Sequence, residues 1–139
     1  KAYGLAGLRI GYGLSSPAMA DLLNRVRQPF NNNALALVAA EAALNDSDYL
    51  HATVALNKAG MQQLMTAFDE MGLAWIPSVG NFIAVDLKRE AASINTALLQ
   101  QGVIVRPVAN YELPNHLRIS IGTAAENNLF IEALKAVLS

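Results

Sequence analysis

The residues of this chain best suited to chemistry stand at its start, in the run Lys1-Ala2-Tyr3-Gly4-Leu5-Ala6-Gly7-Leu8-Arg9-Ile10-Gly11-Tyr12. One amine is followed by small residues, and one guanidinium closes the loop. A lysine flanked by Gly and Ala keeps its nitrogen open to an aldehyde, with which an amine condenses to a Schiff base. An arginine at the far end of the same loop offers a rigid fork of donors that matches a phosphate. The glycines at 4, 7, 11 and 13 allow the backbone turns and close approaches that such a loop needs. A ligand carrying both an aldehyde and a phosphate answers this pair of residues. Two solvated cations on a turn are the plainer reading of Lys1 and Arg9 taken alone.

The flanking residues favour the first reading. Lysine followed by small, aromatic and small residues, then Leu5-Ala6-Gly7-Leu8-Arg9-Ile10-Gly11, resembles the cofactor-lysine motif of the fold-type I aminotransferases that depend on pyridoxal phosphate. Within that family the resemblance is strongest to the histidinol-phosphate aminotransferases, and it covers essentially the whole chain. It is carried further by the stretch from Asn24 to Asn31, by Gly80-Asn81-Phe82, by the stretch from Gly102 to Arg106, and by that from Leu117 to Gly122. The family's chains are much longer, so the resemblance implies a C-terminal portion that begins at the cofactor lysine. The acid that pairs with the pyridine nitrogen would lie upstream.

The resemblance implies roles for particular residues. Lys1 would attach pyridoxal 5'-phosphate and then serve as acid and base. Arg9 would hold the cofactor phosphate. Arg118, in an apolar strand, would take the substrate carboxylate, because a bidentate guanidinium contact orients an amino acid for attack at its Cα–H. A charge in such a strand is otherwise solvated or ion-paired. Arg106, ahead of a loop with Pro107 and Pro114, would add a second contact for a distal anion if that loop brings the two arginines together. Asn81 is a weaker substrate-side candidate. Asn31, in a run of three asparagines that otherwise reads as a turn, would face the neighbouring subunit's active site at a homodimer interface. His51 and His116 lack companions at ligand spacing, so no metal site is expected. No catalytic triad or nucleotide-binding glycine fingerprint occurs.

The implied reaction moves an amino group between glutamate and imidazole-acetol phosphate, in histidine biosynthesis. Two other activities of the same fold remain open at this point: an aromatic-amino-acid aminotransferase and a threonine-phosphate decarboxylase. A third reading is a non-catalytic piece that only binds or dimerises.

Composition sets bounds around these readings. Hydrophobic residues make up 53% of the 139 and charged ones 15%, an apolar excess for a free-standing domain. A piece of a larger core, or one that buries a face on a partner, has this balance. The net charge of −1 suits small-molecule substrates and gives no basic stripe for nucleic acid. The absence of cysteine removes a disulfide framework and fits a cytoplasmic enzyme. The longest apolar run, from Ala34 to Ala40, is too short to span a membrane.

The elements that must position these residues follow from pattern. Leu8 to Leu14 predicts a short strand. Ser16 and Pro17 open a helix to about Arg27, by capping and by proline's fit to a first turn. Ala34 to Leu44 predicts a second helix. The polar break from Asn45 to Asp48 marks a domain boundary, with residues 1–46 the end of a large cofactor-binding domain and 47–139 a small one. A long helix from about Asp48 to Met71 follows, with Met61, Leu64, Met65, Phe68 and Met71 on one face. Strands are expected over 74–76, 82–87, 103–106 and 116–121, with helices over 90–101 and 124–138. The last opens on the capping box of Thr123 and Glu126. The expected fold class is α/β of the fold-type I kind, its small domain an α+β layer with a mostly antiparallel sheet.

Overall fold

The computed structural model describes Lys1–Ser139, and the chain forms two compact units, Lys1–Val54 and Ala55–Ser139. The first unit holds a short 3-10 turn at Ala6–Leu8, helix α1 at Pro17–Val26 and helix α2 at Ala34–Leu44. The Ser16 hydroxyl accepts from the Met19 backbone N–H, and the Asn33 side chain from that of Ala36. These caps satisfy amide groups that the first turn leaves without partners. The expected strand over 8–14 is not formed. A strand exists only as a hydrogen-bonded pair, and no segment of this chain pairs with that stretch.

Helix α3, Ser47–Glu70, runs across the division between the units. The second unit continues with β1 (Trp75–Ile76), β2 (Phe82–Asp86), α4 (Ala91–Gln100), β3 (Arg106–Val108), β4 (Leu113–Ser120) and α5 (Ala124–Leu138). The strands make one four-stranded sheet in the order β1-β2-β4-β3. Every pairing in it is antiparallel. Alternation along β2 buries Ile83 and Val85, and along β4 it buries Leu117 and Ile119. These four meet Leu64, Ala67 and Phe68 of α3, Ala91, Ile94 and Leu98 of α4, and Phe130, Ile131 and Leu134 of α5 in one core. Phe68 and Phe130 meet edge to face, with ring centroids 6.2 Å apart, an arrangement that aromatic quadrupoles favour. The three helices thus cover one face of the sheet.

Strand ends shift from expectation, most of all in β3 and β4. The strand expected over 103–106 lies at Arg106–Val108, and the last strand begins at Leu113 rather than His116. Val103 and Val105 pack on the core without pairing their backbone. Pro107 sits inside β3, which is tolerated because β3 is an edge strand.

The end of β4 is held by a buried amide. Asn127 is 2% exposed. Its side chain accepts from the Gly122 N–H at 3.0 Å, and donates to the Gln63 side chain at 3.0 Å and to the Gly122 carbonyl at 3.3 Å. Gly60 of α3 lies against the same spot. A Cβ there would stand 2.6 Å from Ile121 Cγ2 and 2.8 Å from Asn127 Nδ2, so only glycine lets α3 approach this closely.

The capping box at α5 is complete. The Thr123 hydroxyl accepts from the Glu126 N–H, while the Glu126 carboxylate accepts from the Thr123 N–H at 2.7 Å. That backbone contact, with a second bond from the Thr123 hydroxyl, holds the Glu126 carboxyl below its ordinary range. A depressed carboxyl pKa adds stability above the ordinary value, and this is lost as the pH falls through the folded one. Thr123→Ala is expected to cost about 1 kcal/mol and to lessen that acid-side dependence only in part, because the backbone N–H that contributes most to it remains, as read from urea midpoints at pH 7 and pH 3.

Candidate active site

Within the first unit, Lys1, Tyr3, Leu5, Ile10, Gly11, Tyr12 and Asn32 line a cavity of about 320 Å³, closed on the α2 side by Leu37, Ala40 and Leu44. The loop that shapes it turns at Gly4, whose N–H bonds the Lys1 carbonyl at 2.9 Å. Gly4 has φ +70 and stands against the Tyr49 hydroxyl, where a Cβ would come within 3.0 Å. The left-handed backbone and the close approach both require glycine. The hydroxyls of Tyr3 and Tyr12 are 3.5 Å apart across the loop. That contact, aided by desolvation, raises the Tyr3 pKa from its ordinary value.

Lys1 therefore lines an apolar-walled cavity that also presents two phenols and an asparagine. An amine in a cavity of this kind suits an aldehyde-bearing aromatic ligand. Arg9 and Asn31 do not line the cavity. Arg9 is exposed, adopts the left-handed backbone at φ 56, and donates from Nη1 to the Ala6 carbonyl at 2.9 Å. Asn31 is exposed next to Phe30, whose ring is fully exposed. Asn32, which pattern did not single out, is the asparagine of the run that reaches the cavity.

In the second unit the structure brings Arg106 and Arg118 onto one sheet face, while Asn81 stands just before β2. Arg106 and Arg118 are register partners across β3 and β4. Cross-strand partners point to the same side of a sheet, and here it is the side away from the core. Ala84 of β2 is the partner of Arg118 on its other flank, and its small side chain leaves room there. The Arg118 guanidinium stands over the Phe82 ring, 4.9 Å from its centroid. Asn81 is exposed at the start of β2, where its carbonyl accepts from the Ile121 N–H at 2.9 Å. Arg118 is half-buried and takes part in neither of the ion pairs Arg25–Asp21 and Lys135–Glu132. Two guanidinium groups side by side, with no acid bound to Arg118, make an anion-receiving face.

Comparison with known proteins places these features in a family. The family model for aminotransferase class I and II matches residues 1–134. Histidinol-phosphate aminotransferase 2 of Pseudomonas fluorescens is 68% identical over all 139 residues, which span 38% of that protein. The chain thus covers well under half the length of such relatives. The crystal structure of histidinol-phosphate aminotransferase from Sinorhizobium meliloti, in complex with pyridoxal-5'-phosphate, matches 99% of the chain and 39% of its own, at 37% identity and a TM-score of 0.81. L-threonine-O-3-phosphate decarboxylase from Porphyromonas gingivalis matches 99% of the chain and 44% of its own, at 28% identity and a TM-score of 0.84. The backbone is that of the C-terminal segment of fold-type I pyridoxal-phosphate enzymes, as the sequence motifs imply. The chain belongs to the aminotransferase class I and II family.

Proposed function

We propose that this chain is the C-terminal portion of a pyridoxal-phosphate-dependent transaminase that exchanges an amino group between glutamate and imidazole-acetol phosphate, in histidine biosynthesis. The 68% identity over the whole chain to a histidinol-phosphate aminotransferase carries this reading. The threonine-phosphate decarboxylase likeness, at 28%, is the weaker one. In this reading residues 1–46 end the large cofactor-binding domain and 47–139 form the small one.

Pyridoxal phosphate, when bound, supplies the aldehyde that takes up the substrate amine and a ring that accepts the electrons of the breaking Cα–H bond. The residues of this chain do the rest. Lys1 would hold the cofactor covalently through Nζ. The same Nζ, when freed, would take the proton from substrate Cα, a role that suits an amine held beside the reacting carbon. Tyr3 and Tyr12, hydrogen-bonded to each other, wall the cavity beside that nitrogen. Arg9, at the end of the loop, would hold the cofactor phosphate through its guanidinium. Arg118 anchors the glutamate α-carboxylate, and Arg106, beside it, takes the distal anion. Asn81 borders the substrate, and Asn31 faces the second subunit.

The protein works as a homodimer in the cytoplasm. The exposed Phe30, Leu35 and Val38 give the first unit an apolar surface that association would bury. No helix is long and apolar enough to cross a membrane.

Half-reactions of the full-length holoenzyme test the assignment. Glutamate and histidinol phosphate each convert the cofactor spectrum in turn. Because histidinol phosphate has no carboxylate, the two substrates separate the arginines. Arg118→Ala weakens the glutamate half-reaction by roughly 1.5–3 kcal/mol, about ten- to a hundredfold. Arg106→Ala raises KM more than it lowers kcat, as lost uniform binding does. Arg118→Lys recovers only part of the loss, since it keeps the charge without the fork. A full-length protein that ignores histidinol phosphate yet processes threonine phosphate has the other activity.

A further inference from the structure

The sheet face that carries the two arginines holds an aromatic ring in contact with Arg118. Phe82 is the cross-strand partner of Ser120, which sets it diagonally from Arg118, within reach of a long side chain. Its ring centroid lies 4.9 Å from the Arg118 Cζ. From this contact we infer that Phe82 is a positioning residue, which holds the Arg118 guanidinium in the place where it receives a substrate carboxylate. The inference rests on the role proposed above for Arg118.

The physical case begins with what an arginine needs. A free guanidinium on a long stem samples many rotamers, and ordering it on substrate binding costs affinity. The usual remedy is a carboxylate partner. That remedy fails at a substrate site, because an acid would occupy the donors that the substrate must use and would cancel the charge. A ring avoids both problems. It attracts the cation through its quadrupole and has no lone-pair acceptor to consume a donor. Arg118 stands outside the ion pairs Arg25–Asp21 and Lys135–Glu132, and the ring is its recorded side-chain contact.

The surroundings fit that purpose. Ala84 lies directly across from Arg118 on the same face, so no bulky neighbour confines the guanidinium from that flank. Phe82 itself is fixed from both sides. It begins a strand whose next residue, Ile83, is wholly buried, and Asn81 before it is tied to Ile121 across β4. The ring therefore stands on a rigid element, as a support must.

The test uses the full-length holoenzyme and four variants: Phe82→Leu, Phe82→Tyr, Arg118→Ala, and the pair Phe82→Leu with Arg118→Ala. Two quantities are read for each. One is KM and kcat of the glutamate half-reaction. The other is the dissociation constant of glutarate, a dicarboxylate without an amine, by calorimetry. Phe82→Leu is expected to raise both KM and the glutarate constant roughly two- to tenfold, the range of one cation–π contact, with a smaller change in kcat. Phe82→Tyr keeps the ring and stays near the parent. On the Arg118→Ala background, Phe82→Leu adds nothing further, because the residue it serves is gone.

A purely structural Phe82 gives a different pattern. Phe82→Leu then lowers the unfolding temperature while both constants stay put, or its effect persists in full without Arg118. Either result overturns the inference. If Phe82→Leu does not fold, Phe82→Met replaces it, keeping apolar bulk without the ring. Weak glutarate binding in Arg118→Ala with normal binding in Phe82→Leu removes only the inference about Phe82. Normal glutarate binding in Arg118→Ala removes the arginine assignment itself, and this inference with it.

Discussion

Replacing Lys1 by alanine in the full-length protein is expected to abolish covalent attachment of pyridoxal phosphate and to lower the proposed amino-transfer rate by at least about 10²–10⁴-fold. That is the contribution of a well-placed proton-transfer group alone. The loss of the covalent link comes on top of it. The structure supports this expectation because Lys1 lines the cavity with the two tyrosines. Borohydride reduction of the holoenzyme, followed by peptide mapping, places the label on Lys1. A label on Lys58, Lys88 or Lys135 instead would sink the assignment. Those three are exposed and stand on α3, in the turn after β2 and on α5.

The second large effect is on stability. Phe68 is wholly buried where α3 meets α5, with its edge-to-face partner Phe130. Phe68→Ala removes a ring that the neighbouring Leu64, Leu98 and Leu134, themselves fully buried, are packed too tightly to replace. The cost is expected to be about 3–5 kcal/mol, a large part of the 5–15 kcal/mol that holds a typical domain together. Urea titration of the full-length protein reads it as a lower midpoint of the transition that unfolds the sheet unit, at unchanged slope. Leu129→Ala serves as the control, since Leu129 is 69% exposed on α5, next to the ring partner Phe130. An equal shift in both variants would show that α5 does not use this face as its core contact.

The parts of this molecule legible in its sequence are those set by local chemistry. Ser16 with Pro17, and Thr123 with Glu126, state where helices begin, because a cap is a contact between residues a few positions apart. The stripe from Met61 to Met71 states which face of α3 is inward, and Leu64 and Phe68 are indeed wholly buried. Pairing is a longer-range matter. Val103 to Val105 has the composition of a strand and sits beside the sheet, yet the ladder starts one residue later at Arg106. Which residues pair there depends on β4 and on the irregularity between Pro107 and Val108. Leu8 to Leu14 likewise reads as a strand and finds no partner in this chain. The same limit applies to the candidate site. Arg106 and Arg118 were nameable from their motifs, but their side-by-side placement follows from register. Phe82 beneath Arg118, Asn32 at the cavity and Gly60 against Asn127 required coordinates, since each is defined by a neighbour distant in sequence.

The pairing of Arg106 with Arg118 carries a thermodynamic consequence of its own. Like charges directly opposite on a sheet disfavour the folded arrangement. The sheet therefore holds some electrostatic tension there, and in the role proposed for these residues an anion lodged between the guanidinium groups would relieve it. Folding stability and anion occupancy become linked quantities, each raising the other. A neutral residue in place of either arginine would leave a calmer sheet and a poorer receptor. The same two side chains set robustness against responsiveness.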